Sequence, residues 1–143
     1  MPSGSPPEIP LLLDTHYLLW HQFGIRERLT ASTLEMISDA ADRKILFLSV
    51  MSVWEIAMLE SKARIQLYKP CIQWIEEALS TPRLSLVPLT PRIAVDSSHL
   101  PGEYHGDPAD RVIVATARSL GARLLTSDKN IQAYGRKRYV LLA

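Results

Sequence analysis

Four acids in this chain, Asp14, Glu55, Asp110 and Asp128, stand where a fold could bring carboxylates together. Asp14 closes the apolar run Leu11-Leu12-Leu13, and Asp128 follows Leu124-Leu125-Thr126-Ser127. Glu55 and Asp110 are expected in the first turns of two helices. Carboxylates crowded into one place repel one another unless protons or cations are taken up. Oxygen-rich acidic clusters suit hard cations, and Mg²⁺ is usually held by few carboxylates with waters completing its shell. Such an ion activates water and steadies the leaving oxygen of an in-line phosphodiester displacement. Each acid also has a plainer reading. Asp14 or Asp128 could only cap the helix that follows it, Glu55 could only complete a capping box with Ser52, and Asp110 suits a helix N-terminus by charge alone. Asp107, placed before Pro108, reads as an N-cap. The metal reading rests on the joint placement of the four acids.

The elements that must position them follow from the hydrophobic pattern. Short all-apolar runs read as strands buried on both faces. The first runs from Ile9 to Leu13, the second from Ile45 to Val50, the third from Leu84 to Leu89 and the fourth from Ala122 to Thr126, with a last edge strand from Tyr139 to Leu142. Between them lie helical stretches: His16 to Phe23 stopped by Gly24, a helix capped by Thr30 or Ser32 and running to about Arg43, one capped by Ser52, and Cys71 to Leu79 after Pro70. Thr90-Pro91 starts a short helix, and Asp107-Pro108 opens one from Ala109 to Leu120, closed by Gly121. A last short helix spans Asp128 to Ala133. Strands alternating with helices imply an α/β fold, a parallel sheet covered on both faces. In such sheets ligands bind beyond the carboxyl ends of the strands, which is where the acids fall.

Several residues near the acids invite supporting roles. Thr126 and Ser127 either hydrogen-bond a ligand carboxylate or metal-bound water, or only begin a turn. Arg111 could pair a carboxylate or meet a phosphate. His16 and His105 lack the tight His/Cys spacings of zinc sites and are assigned helix and loop roles. Trp20, Trp54 and Trp74 sit among Leu and Ile at helical positions, as core or dimer contacts more than as base-stacking platforms. The cluster Arg136-Lys137-Arg138 suits phosphates or a solvated turn equally.

The 143 residues fit one domain, and the formal net charge of +1 excludes a protein that coats nucleic acid by bulk charge. No apolar run approaches the ~18–20 residues that span a bilayer. The single cysteine, Cys71, fits a reducing cytosol. Met1 to about Glu8 is read as a disordered tail, without the charged-then-apolar order of a signal peptide.

The segment Leu11-Leu12-Leu13-Asp14-Thr15-His16 resembles the opening of PIN-domain nucleases, especially toxins of the VapC type. Ser52-Val53-Trp54-Glu55-Ile56 resembles the second motif of that family, His105-Gly106-Asp107-Pro108-Ala109-Asp110-Arg111 the third, and Leu125-Thr126-Ser127-Asp128 the fourth. The third motif is similar to that of a subgroup carrying Asp-Pro-x-Asp-Arg. In it Asp110 matches the third acid, Asp107 is an additional carboxylate, and Ala109 stands where an aromatic is common. The resemblance implies a three-layer α/β/α domain over residues 9–143 with a parallel sheet of about four to five strands. It implies a cytoplasmic endoribonuclease dependent on Mg²⁺ or Mn²⁺, with Asp14, Asp110 and Asp128 holding the metal and Glu55 binding it directly or through water. It further implies a homodimer and a small antitoxin that blocks the cleft. Rival readings are weaker. A haloacid-dehalogenase-type phosphatase needs a second Asp where His16 stands, and a receiver domain needs a phosphate-accepting Asp where Thr90-Pro91 follows the third strand. An RNA-processing nuclease without an antitoxin, or a silent binding module, would carry the same fold.

Overall fold

A computed structural model describes residues 8–143 of the chain. The expected tail falls mostly outside the described residues; Glu8, at its boundary, is ion-paired with Arg43. Five strands, β1 (Leu11–Leu13), β2 (Leu46–Ser49), β3 (Ser85–Val87), β4 (Arg123–Leu125) and β5 (Leu141–Leu142), form one sheet in the order β3-β2-β1-β4-β5. Every pairing is parallel. Among the described residues seven helices accompany them: α1 (Thr15–Phe23), α2 (Ala31–Asp42), α3 (Val50–Ser61), α4 (Cys71–Ser80), α5 (Pro91–Ser98), α6 (Pro108–Leu120) and α7 (Lys129–Arg136). The expected α/β architecture with a parallel sheet is therefore the one observed.

The side chains of β1 explain the layering. Successive residues of a strand point to opposite faces. Leu11 and Leu13 join Leu18, Ile37 and Ile75 in one core, while Leu12 joins Ile113, Ala117 and Ile131 in the other. All three leucines are fully buried, which is why the strand reads as a continuous apolar run. Helices α1, α2 and α4 thus cover one face, and α6 and α7 cover the other.

The strands are shorter than the apolar runs that announce them. Ile9 stays 45% exposed outside β1, and Leu86 and Leu89 on the β3 side are also exposed because β3 is an edge strand. Helix starts are mostly as expected: Thr90 caps α5, Asp107 caps α6, and Gly121 closes α6 in the left-handed conformation. Helix α3 is the exception. Its N-cap is Ser49, whose side chain accepts from Met51 N at 3.1 Å, and Ser52 lies inside the helix. The expected capping box of Ser52 and Glu55 does not form. Ser49, the last residue of β2, already has the extended backbone that an N-cap needs, so strand passes into helix with no loop between.

Candidate active site

The register of the central strands builds the floor of the site. Leu13 of β1 pairs with Leu125 of β4, which sets Asp14 beside Thr126. Asp14 N donates to Leu125 O at 3.0 Å, and Thr126 Oγ1 donates to Asp14 Oδ2 at 2.6 Å. Asp14 Oδ1 accepts from Thr15 N at 2.7 Å and caps α1. The two readings of Asp14 are compatible: the residue caps a helix and keeps its carboxylate at the end of the sheet. Thr126 also accepts from Asp128 N at 3.0 Å, so it serves the carboxylate and the turn together.

Glu55 comes from the second turn of α3, not the first. Thr15 Oγ1 donates to Glu55 Oε1 at 2.7 Å and lies 2.8 Å from Ser52 Oγ. These contacts join the start of α1 to α3. Asp110 comes from the first turn of α6, where its backbone N–H donates to Asp107 Oδ1 at 2.9 Å. Its own carboxylate has no hydrogen-bond donor among the described residues.

Oxygens of Asp14, Glu55 and Asp110 all lie within 4.8 Å of one another. Burial pushes the Asp14 carboxyl above the usual range, against the hydrogen bonds from Thr126 and Thr15. Burial likewise raises Glu55, with the Thr15 hydrogen bond opposing. Asp110 is pushed up to about 7, by burial first and then by Asp107, Asp14, Asp128 and Glu55. Three carboxylates held this way are costly to ionise together. Their donor set is all oxygen and partly dehydrated, which fits a hard divalent cation.

Asp128 and Asp107 fall outside this group. Asp128 Oδ1 caps α7, accepting from Ile131 N at 2.9 Å, although its charge is felt at both Asp14 and Asp110. Asp107 is the N-cap of α6, as its position before Pro108 implies. Ser127 is exposed in the turn. Arg111 pairs with no carboxylate among the described residues. Its Nε donates to Ser97 O at 2.9 Å and its Nη1 to Tyr104 O at 2.8 Å, pinning the α5–α6 loop to α6. The guanidinium thus satisfies one carbonyl in the last turn of α5 and one in the loop that follows. His16 is exposed at the start of α1, and His105 is exposed in the loop before α6.

Thr15 and Tyr104 went unassigned in the sequence, and Ser52 was read only as a helix cap. Thr15 stands inside the Asp14-Thr15 motif, a signal that was available. Tyr104 is buried, and its hydroxyl has no partner among the described residues. Burial, followed by the charges of Asp110, Asp128, Asp107 and Asp14, holds its pKa well above the usual tyrosine range. Gly106 is what lets it sit there: a Cβ on Gly106 would lie 2.3 Å from the Tyr104 ring and hydroxyl.

Next to the acids a cleft of ≈ 480 Å³ runs between α3 and the start of α6, with Glu55 and Asp107 on its walls.

The PIN-domain family model matches residues 11–137. Ribonuclease VapC22 of Mycobacterium tuberculosis is 34% identical over 130 residues, covering 91% of this chain and 95% of the relative. Among solved structures, the VapBC2 complex of Rickettsia felis bound to a promoter DNA fragment superimposes with a TM-score of 0.68 at 15% identity, over 94% of this chain and 98% of that one. VapBC-1 of nontypeable Haemophilus influenzae gives a TM-score of 0.60 at 19% identity, over 94% and 97% of the two chains.

Proposed function

The chain belongs to the PIN-domain family, and from that membership we propose that it is a divalent-metal-dependent endoribonuclease of the VapC toxin type. The observation that carries this reading is the convergence of Asp14, Glu55 and Asp110, from three separate elements, within 4.8 Å. Bound Mg²⁺ or Mn²⁺ would supply Lewis acidity and a water nucleophile at neutral pH. Asp14, Glu55 and Asp110 would hold it directly, and Asp128 would add negative charge from the neighbouring turn.

The chain's own groups prepare that site. Thr126 and the Thr15 N–H favour the ionised form of buried Asp14 and fix its plane. Thr15 Oγ1 orients Glu55 from the same turn. Asp110, left without a donor and pushed up to about 7, is the ligand whose proton a cation would have to displace. Positioned donors of this kind keep ligand carboxylates in one orientation.

The structural neighbours are VapBC complexes. On that ground the chain would self-associate and bind a small antitoxin encoded beside it. No helix among the described residues is long and apolar enough to cross a membrane. Such a nuclease would act in the cytoplasm, in keeping with the free Cys71.

The test is incubation of the pure protein with end-labelled RNA, in Mn²⁺ or in EDTA, beside an Asp14→Asn variant. Cleavage that needs Mn²⁺ and disappears in Asp14→Asn is the expected result. Cleavage that persists in EDTA, or at full rate in the variant, would overturn the proposal. Co-expression with the product of the adjacent reading frame should suppress cleavage.

A further inference from the structure

The face of α3 that carries Glu55 continues away from the acids. Met51, Trp54, Met58 and Lys62 follow one another at helical spacing along the cleft, and Pro108 and Ala109 of α6 stand opposite. Glu55 belongs both to this cleft and to the carboxylate group, so the cleft is an extension of the acid site. Its volume of ≈ 480 Å³ is in the range of sites for small organic ligands.

Trp54 is 50% exposed and borders Glu55 in the chain. Among the described residues it packs on no other ring, whereas Trp20 meets Tyr17 and Trp74 meets Phe23. The far end of the cleft carries Lys62 and Arg64, both exposed. Among the described residues neither is in an ion pair, so both are open to an anion. At a rise of 1.5 Å per residue, Lys62 lies about 10 Å along the helix from Glu55.

We infer that this cleft is a nucleotide subsite: Trp54 stacks on a base adjoining the scissile phosphate, and Lys62 and Arg64 receive the next phosphate. The inference rests on the ribonuclease reading and deepens it. The alternation of charge favours an RNA strand over a partner protein's helix. An apolar helix would cover Trp54 and the methionines but would leave both cations facing no charge. A nucleotide meets both, with its base on the indole and its phosphate on the cations. Because every base has a π-face, the subsite tolerates any sequence.

The experiment measures binding of a fluorescein-labelled single-stranded oligoribonucleotide to the full chain, in low salt with EDTA so that metal-dependent cleavage does not compete. Trp54→Ala should weaken binding about ten-fold, and Trp54→Phe much less. The Lys62→Ala/Arg64→Ala double variant should flatten the slope of log K against log salt by about 0.7, one phosphate contact on a single strand. In Mn²⁺, Trp54→Ala should raise KM about ten-fold with kcat and the Mn²⁺ midpoint unchanged. Wild-type binding by Trp54→Ala, or an unchanged salt slope in the double variant, would overturn the subsite. So would a Trp54→Ala variant that loses only binding of a partner protein, since the cleft would then belong to that protein. A wild-type chain that binds RNA through Trp54 but never cleaves it in Mn²⁺ would sink the nuclease reading alone, so the two failures are distinguishable.

Discussion

Replacing Asp110 by Asn should stabilise the metal-free protein and abolish its response to metal. The Asp110 carboxyl is pushed from 3.8 to about 7 in the folded chain. At 1.36 kcal/mol per unit, ionising it in the native state costs at most about 4 kcal/mol. Solvent reaching this half-buried group lowers that to about 2 kcal/mol. Asn removes the cost but also removes a favourable charge at the N-terminus of α6, about 0.5 kcal/mol. No side-chain hydrogen bond of Asp110 is lost among the described residues, so the net gain is about 1.5 kcal/mol, or roughly 4–6 °C in melting temperature for a domain of this size. The sign with pH follows from the raised value. Between the unfolded and folded pKa the native state binds the proton that the unfolded chain has released, so stability falls as pH rises through that window. The advantage of Asp110→Asn should therefore be full near pH 8, shrink as pH falls, and vanish only below about pH 4, where the carboxyl of the unfolded chain is protonated too. Saturating Mn²⁺ should reverse the order, since a ligand at about a hundred times its Kd adds about 2.7 kcal/mol to the wild type and little to the variant. Thermal unfolding in EDTA and in Mn²⁺, at both pH values, reads all of this. A variant that melts below wild type in EDTA at high pH, or an advantage that persists in acid, would refute the argument that these carboxylates repel.

Thr126→Val removes the donor to Asp14 and the acceptor for Asp128 N at almost constant volume, and should weaken Mn²⁺ binding about 10-fold, read by metal titration of the melting temperature. The same change should move the acid limb of the pH–rate profile upward, because burial, now less opposed, raises Asp14 further. Gly106→Ala should destabilise the fold by about 1–3 kcal/mol, seen in the urea midpoint, because its Cβ would lie 2.3 Å from Tyr104 in a packed interior.

The local signals in the sequence were those with local causes. An apolar run ending in Asp marks β1, and Asp107-Pro108 with Gly121 brackets α6, because caps and stops act within a turn or two. What stayed hidden depends on distance through space. Ser49 and Ser52 are both plausible caps for α3; the choice turns partly on the contact of Ser52 with Thr15, 37 residues away. Asp14 and Asp128 look alike in the chain, each after a strand and before a helix, and both do cap. Register separates them: Leu13 opposite Leu125 puts Thr126, not Asp128, beside Asp14. Arg111 lies in a motif rich in acids, yet its partners are the carbonyls of Ser97 and Tyr104, which no spacing announces.

The uneven support of the three acids assigns them different tasks. Asp14 has two hydrogen-bond donors, Glu55 has one, and Asp110 has none among the described residues. Each donor favours the charged form, so competition between proton and cation is concentrated at the unsupported acid. A cation arriving below about pH 7 must displace a proton chiefly from Asp110, and metal affinity should fall on acidification there rather than at ordinary carboxylate pH.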